Sequence, residues 1–151
     1  MQHKKLKGII LGIQPYREFD RIITILSEQS GLVRIIAKGV RRIKSRRSFF
    51  LDLFNHVQVE LEENGHGLSA KKYLREISSI ESFSNLKKTG ASFAASCLIA
   101  SFLLRLLPHD VPQRQIFILT LNTLKSLEHT KNTKQIILTY FLKIMRNLGY
   151  I

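Results

Sequence analysis

Residues 38–47 are the part of the chain whose side-chain types and spacing point most directly to chemistry. The run reads Lys-Gly-Val-Arg-Arg-Ile-Lys-Ser-Arg-Arg, with six cationic side chains and no acidic one. It follows the apolar segment 32–37 and precedes the aromatic and aliphatic segment 49–54, so it predicts a loop that leaves a β-strand and returns to the core. A fixed concentration of positive charge favours a polyanion, and nucleic acid is the leading candidate.

The side chains of this basic loop (residues 38–47) are suited to phosphate. A guanidinium group grips a phosphate with two hydrogen bonds, whereas an ammonium group acts as a point charge. Ser45 can donate its hydroxyl to a phosphate or to a local turn, and both uses stay open. Nothing in the pattern reads base edges, so we expect binding that is independent of base sequence. The predicted nucleic-acid-binding residues are Arg34, Lys38, Arg41, Arg42, Lys44, Ser45, Arg46 and Arg47.

Aromatic side chains could add stacking on unpaired bases, which contributes about 1–3 kcal/mol per base. A small barrel needs bulky interior residues, so we expect the phenylalanines to lie in the core. The two tyrosines are the better candidates for exposure. The residues considered are Tyr16, Phe19, Phe49, Phe50, Phe54 and Tyr73.

Catalytic chemistry is poorly supported by the sequence. Residues 39–45 end in Lys-Ser like a phosphate-binding P-loop, but Ile43 stands where a glycine is required. The five histidines lack metal-ligand spacing, and each is expected on the surface or in a loop. Glu18 and Asp20 are expected to interact with neighbouring cations or with the basic loop. We therefore expect no enzyme activity, no cofactor and no metal site.

The composition extends the charge signal beyond the basic loop. The chain has 24 Lys and Arg against 11 Asp and Glu, a net charge of +13, and self-repulsion of this size favours an anionic partner. The single cysteine, Cys97, excludes a disulfide framework and is expected to be a small buried hydrophobe. The N-terminal segment lacks the pattern of a signal peptide, and the apolar run 91–107 is shorter than the ~20 residues that a bilayer requires. We expect a cytoplasmic protein with no membrane partner.

The first half of the chain has the pattern of short antiparallel strands, and the second half is helical. Asn64-Gly65 is a strong hairpin signal. Asp110 is expected to cap a helix that has Pro112 in its first turn. Five strands predict a small barrel, either an OB-fold or an SH3-like barrel. The strands are expected at 6–13, 21–26, 32–37, 56–62 and 68–80, and the helices at 91–107, after Asp110 and from Thr133.

Several segments of the chain resemble the RecO family of recombination mediators. The sequence Gln-Pro-Tyr-Arg-Glu-Phe-Asp-Arg at 14–21 is similar to the opening of that family. The sequence at 37–45 resembles its Ala-Lys-Gly-x-Arg-x-x-x-Ser signature more closely, and 148–150 is similar to its Leu-Gly-Tyr segment. The resemblance covers essentially the whole chain.

The resemblance implies an α+β fold, with an OB-fold domain over 1–80 and a helical domain over 81–151. It implies a DNA repair protein that binds single- and double-stranded DNA, anneals complementary strands and cooperates with RecR, single-strand-binding protein and RecA. Typical members continue into further helices, often with a four-cysteine zinc site. This chain has one cysteine, so no metal role transfers, and both a naturally short member and a truncated product are open.

Two other functions stay open on the residues alone. An RNA-binding OB-fold protein would use the same charges, because both nucleic acids are polyphosphates. An adaptor would contact proteins through its helical half, with the basic loop meeting an acidic tail.

Overall fold

The computed structural model describes residues 2–42, 45–67 and 70–151. Its first half is a closed five-stranded barrel with the strand order β1-β2-β3-β5-β4, in which β4 pairs back onto β1. This closed barrel confirms the OB-fold prediction. The strands are β1 (Gln2–Tyr16), β2 (Asp20–Ser27), β3 (Gly31–Ala37), β4 (His56–Asn64) and β5 (Lys71–Glu81), and a short 3-10 helix (Arg47–Phe50) lies between β3 and β4.

The long first strand closes the barrel because it pairs with two neighbouring strands. Its first part pairs with β4, and its second part pairs with β2 after an irregularity between Ile10 and Gly12. The sequence predicts that this strand ends before Pro15, but pairing continues through Pro15, opposite Arg21, to Tyr16. Proline fits extended backbone and lacks only the N–H donor, so it did not end the strand.

A narrow parallel contact joins the two ends of the sheet. The described strands β3 and β5 pair at Ile36 and Tyr73. The predicted beginning of the fifth strand, Leu68, lies outside the described residues, and the described strand begins at Lys71. Asn64 ends β4 and Gly65 has a φ of 98°, as the hairpin signal predicts.

The second half is a helical layer of four helices: α1 (Ser84–Lys88), α2 (Gly90–Leu106), α3 (Arg114–His129) and α4 (Thr133–Asn147). The five-residue α1 is too short to show a periodic pattern, and the sequence did not predict it.

The predicted cap of α3 is wrong. The helix begins at Arg114, and Gln113 occupies the N-cap position, so Pro112 precedes the helix. Asp110 has a left-handed φ of 60°, and its carboxylate accepts a hydrogen bond from Lys72 Nζ at 3.0 Å. The carboxylate therefore ties the loop between α2 and α3 to strand β5.

Two hydrophobic clusters hold the fold together. One fills the barrel interior, and the other lies between the outer face of the barrel and the helices. Successive residues of a strand point to opposite faces, so Ile10 of β1 lies inside the barrel whereas Ile9 packs under the helices. The second cluster includes Leu11, Leu26, Leu32 and Phe54 from the barrel and Ile99, Leu103, Phe117 and Tyr140 from the helices.

The division into domains at residue 80 stays a prediction.

His56 lies in this barrel–helix contact, which corrects the prediction that every histidine is on the surface or in a loop. The residue is 9% exposed, and its ring stands edge-on to Phe117 at 5.8 Å. Nε2 has no hydrogen-bond partner among the described residues. Burial, and secondarily the charge of Lys125, lower the pKa of His56. Cys97 is half-buried rather than buried, and this partial burial raises its pKa.

Candidate nucleic-acid interface

The beginning of the basic loop is fixed to the turn between β1 and β2. Gly39 has a φ of 70°, which glycine adopts without strain, and its amide donates to Asp20 Oδ1 at 2.8 Å. The amide of Arg41 donates to the carbonyl of Phe19 at 2.9 Å, and Arg41 Nη1 donates to the carbonyl of Arg17 at 3.2 Å. The expected interaction of Asp20 with the basic loop is therefore present.

The end of the basic loop is fixed to strand β5. Arg47 Nη1 donates to the carbonyl of Leu74 at 2.9 Å, and Arg47 Nη2 donates to the carbonyl of Lys38 at 2.7 Å. Ser48 Oγ donates to the carbonyl of Ser45 at 2.7 Å and closes the turn into the 3-10 helix. Arg47 thus has a structural role that the sequence did not reveal, because its Nη1 and Nη2 each donate a hydrogen bond to a backbone carbonyl.

Two loop cations rest on aromatic rings. The Lys38 ammonium lies 4.6 Å from the centre of the Tyr73 ring, and the Arg42 guanidinium lies 4.8 Å from the centre of the Phe19 ring. A cation over a ring face is held by the ring quadrupole without losing its charge. Both groups are therefore positioned at the surface by a contact with an uncharged ring.

A cleft of about 940 Å³ brings most of the predicted residues together. Five cationic residues line it against two carboxylates, and one oxygen of Asp20 is already occupied by the Gly39 amide. The net charge of the lining is positive. The lining residues are Phe19, Asp20, Lys38, Gly39, Arg42, Ser45, Arg46, Arg47, Arg75 and Glu76.

The loop cations are not neutralised by carboxylates in the described part of the chain. The ion pairs found there join other residues, such as Arg75 with Glu62 at 2.9 Å and Lys87 with Asp52 at 3.1 Å. Where loop guanidinium groups donate, they donate to neutral carbonyl oxygens. The positive charge of the loop therefore remains available to an anion.

Two of the predicted residues lie apart from this cleft, and one lies outside the described residues. Arg34 is exposed on the outer face of β3 and lines a separate pocket of about 380 Å³ with Tyr16 and Lys71. Arg41 reaches toward the β1–β2 turn. Lys44 lies outside the described residues.

Two cationic residues near the cleft were missed from the sequence. Arg75 of β5 lines the cleft. The backbone carbonyl of Arg17 accepts a hydrogen bond from Arg41, and the Arg17 guanidinium lies 5.2 Å from the centre of the Tyr16 ring. Both lie far from the basic run along the chain. The charged outer positions of the irregular strand β5 were the available signal for Arg75.

The aromatic predictions were partly wrong. Phe54 is 1% exposed, and Phe50 packs against the barrel interior, as expected. Phe49, however, is 84% exposed and Phe19 is 41% exposed. The tight 3-10 turn sends consecutive residues in different directions, so Phe50 enters the core and Phe49 does not. Tyr16 and Tyr73 are half-buried beneath cations.

Two kinds of feature are absent from residues 2–42, 45–67 and 70–151. No helix in these ranges has the length and apolar character needed to cross a membrane. Nor do these ranges hold three or more His, Cys, Asp or Glu side chains grouped so that they could bind a metal ion.

Known proteins resemble this chain along its whole length. The DNA repair protein RecO of Syntrophobacter fumaroxidans is 24% identical over 151 residues, which cover 100% of this chain and 59% of that protein. The DNA repair protein RecO of Desulfitobacterium hafniense (strain DSM 10664 / DCB-2) is 32% identical over 144 residues, which cover 95% of this chain and 50% of that protein. The S. pombe Stn1-Ten1 complex has a chain that matches with a TM-score of 0.43 at 16% identity, covering 68% of this chain and 78% of that one.

Two family models match adjoining parts of the chain. The model described as recombination protein O N terminal matches residues 1–83, and the model described as recombination protein O C terminal matches residues 88–151. The chain spans between half and three-fifths of the length of the two relatives named above. Together the barrel, the helical layer and the two matches place the chain in the RecO family of DNA repair proteins.

Proposed function

We propose that this chain binds single- and double-stranded DNA without sequence specificity and promotes the annealing of complementary strands. The observation that carries the proposal is the fixed basic loop, whose described cations have no carboxylate partner among the described residues. Phosphates are the shared feature of both DNA forms, so a phosphate-directed site binds both. The protein acts in the cytoplasm by binding, without making or breaking covalent bonds.

Charge gives the physical basis for annealing. Two complementary strands repel each other through their phosphates, and a cationic surface that holds both lowers this repulsion. The chain carries +13 overall, with the densest charge in the basic loop. Arg34 extends positive charge across the outer barrel face, where a second strand can lie.

The two parts of the chain have different roles in this proposal. The barrel domain, residues 1–80, carries the DNA-binding surface. The helical domain, residues 81–151, supports the barrel through the shared hydrophobic cluster. Membership of the family supports cooperation with RecR, single-strand-binding protein and RecA as part of the same proposal.

A strand-annealing assay tests the proposal directly. Complementary oligonucleotides are mixed with the protein across a salt series, with and without a single-strand-binding protein coating one strand. The test variant is Arg41→Glu/Arg42→Glu/Arg46→Glu, which leaves Arg47 in place because its guanidinium holds the loop. We expect this variant to remain folded and to lose annealing.

A matched control separates the loop from the general charge of the protein. Lys131, Lys134 and Lys143 are exposed in the helical half, and the variant Lys131→Glu/Lys134→Glu/Lys143→Glu changes the net charge by the same amount. We expect the control to keep most of its annealing activity. Equal losses in both variants, or no loss in the loop variant, would contradict a role for the loop. Stronger competition by RNA than by DNA of matched sequence would support the RNA-binding alternative.

A further inference from the structure

Phe49 is a large apolar side chain that the fold leaves in water beside the cationic cleft. It is 84% exposed, more than any other large hydrophobic residue of the described chain. A phenyl ring left in water forfeits the stabilisation that burial would give. Two residues close to it in the chain, Arg46 and Arg47, both line the cleft.

The backbone that carries Phe49 is held from both sides. The Phe49 amide donates to the carbonyl of Arg46 at 3.3 Å, and the next residue, Phe50, packs against the barrel interior. Asn55 Nδ2 donates to the carbonyl of Phe50 at 3.1 Å. The ring therefore projects from a fixed turn, and ordering it for a ligand costs less than ordering a ring on a loose segment.

The faces of the Phe49 ring are free, unlike those of the other aromatic residues near the loop. The Arg42 guanidinium lies over the Phe19 ring, and the Lys38 ammonium lies over the Tyr73 ring. Within residues 2–42, 45–67 and 70–151, Phe49 makes no contact with another ring or with a cation. A flat apolar ligand can therefore approach it directly.

We propose that Phe49 is a stacking platform for an unpaired nucleobase, and that it makes the site prefer single strands over duplex. The inference rests on the proposed binding of DNA at the basic loop. The loop cations hold the phosphates and Phe49 holds one base of the same strand. Bases in a duplex are already stacked, so duplex gains nothing from the ring. Unpaired bases of DNA and RNA share this chemistry, and the experiment separates the two sources.

The chain contains no tryptophan, so Phe49→Trp introduces a single fluorescent reporter at the proposed contact. We expect its emission to be quenched when an oligothymidylate of about 20 nucleotides is added, because stacking on a base quenches indole fluorescence. A duplex of the same length and an abasic strand, which has the sugar–phosphate chain without bases, should leave the emission nearly unchanged. Tyr150→Trp, an exposed aromatic position in the helical half, is the matched control and should not respond.

Affinity measurements provide the second readout. Base stacking corresponds to a roughly five- to 150-fold change in affinity per base. We expect Phe49→Leu, which keeps an apolar side chain without a ring, to weaken binding of oligothymidylate within that range and to leave duplex affinity unchanged. Phe49→Trp should retain or increase single-strand affinity. Circular dichroism confirms that the variants are folded.

The outcomes distinguish this inference from the proposed function. Wild-type protein that binds no oligonucleotide at low salt overturns DNA binding at the loop and the stacking role with it. If the wild type binds strands, but the Phe49→Trp variant shows no change in emission and Phe49→Leu loses duplex and single-strand affinity equally, the stacking role alone is overturned. Quenching by oligothymidylate but not by oligouridylate identifies DNA as the source of the base, and the reverse identifies RNA. Emission that responds only to a protein partner would assign Phe49 to a protein interface instead.

Discussion

The Asp20 carboxylate accepts a hydrogen bond from the Gly39 amide at 2.8 Å, across 19 residues of chain. This contact joins the first residue of β2 to the second residue of the basic loop. It also places one negative charge inside a cationic cleft. Asp20 therefore fixes the geometry of the loop and moderates its charge.

Two substitutions separate these effects of Asp20. Asp20→Asn keeps an oxygen acceptor and removes the charge, so we expect near-native stability and somewhat tighter binding of oligonucleotides. Asp20→Ala leaves the Gly39 amide without its acceptor, which costs about 1–3 kcal/mol. Thermal unfolding and filter binding measure the two effects. Equal stability of both variants would show that the hydrogen bond contributes nothing.

Arg46 and Arg47 are adjacent, and we expect them to respond differently to alanine. Arg47 donates to the carbonyls of Leu74 and Lys38, so Arg47→Ala should lower the free energy of unfolding by about 1–3 kcal/mol. Arg46 is exposed, and Arg46→Ala should stay within about 0.5 kcal/mol of wild type while weakening DNA binding. Urea unfolding followed by circular dichroism provides the comparison. A stability loss at Arg46 equal to that at Arg47 would contradict the structural role given to Arg47.

Salt should reveal how many phosphates the loop contacts. If about five contacts displace counterions, the slope of log affinity against log salt is roughly −4 to −5, and affinity falls about a thousandfold between ~50 and ~200 mM salt. Arg41→Glu/Arg42→Glu/Arg46→Glu should make the slope shallower by about 3 units, since each phosphate contact contributes about 0.9. Filter binding at several salt concentrations gives both slopes. Parallel lines for the two proteins would place the phosphate contacts elsewhere.

His56 should make stability depend on pH. Its pKa in the folded protein is lowered from 6.5, mainly by burial and next by Lys125, with Lys7 acting in the same direction and Glu28 opposing both. Below about pH 6.5 the unfolded chain therefore binds a proton that the folded chain does not, so stability falls as the pH falls through this region. Removing the imidazole removes this contribution.

The variant His56→Leu tests this linkage. It replaces a buried nitrogen that has no partner among the described residues, so stability near neutral pH should be retained or increased. The melting temperatures of wild type and variant are compared from about pH 7.5 to about pH 5, a range that spans the ordinary pKa of histidine. We expect the difference between them to widen in favour of the variant as the pH falls. A constant difference would mean that His56 does not titrate in this range.

Fragments test the proposed division into domains. The outer barrel face contributes Ile9, Leu26 and Leu32 to the cluster that it shares with the helices. We expect residues 1–83 alone to be less stable than the whole chain and prone to association, because this apolar face would be exposed. Circular dichroism melts and light scattering of the fragment report this. A monomeric fragment that melts like the intact chain would show that the barrel is independent of the helices.

The sequence predicts β4 from its two-residue alternation, and β1, β2 and β3 from short apolar runs bounded by turn residues. The sequence does not predict which residues of the outer barrel face are buried under the helices. Ile9 and His56 are buried under helices that are distant from them in the sequence, and no local pattern predicts that contact. Local patterns therefore predicted the α+β fold correctly, but they could not predict that His56 is buried.

The candidate site shows the same division between local and distant information. The charge density of residues 38–47 is visible in the sequence because it is local. The structural use of Arg47 depends on the carbonyl of Leu74, 27 positions away, and could not be read from the run itself. Phe49 and Phe50 are identical neighbours in the sequence, and only the direction of the 3-10 turn decides which one is exposed.

The described strands β3 and β5 pair only at Ile36 and Tyr73, whereas the other neighbouring strands of the barrel pair along most of their length. Arg47 joins the two strands, because its Nη2 donates to the carbonyl of Lys38, just after β3, and its Nη1 donates to the carbonyl of Leu74 in β5. A ligand that immobilised Arg47 would also strengthen the contact between β3 and β5. Under the proposed function, Arg47 would then link ligand binding at the basic loop to the stability of the β3–β5 contact.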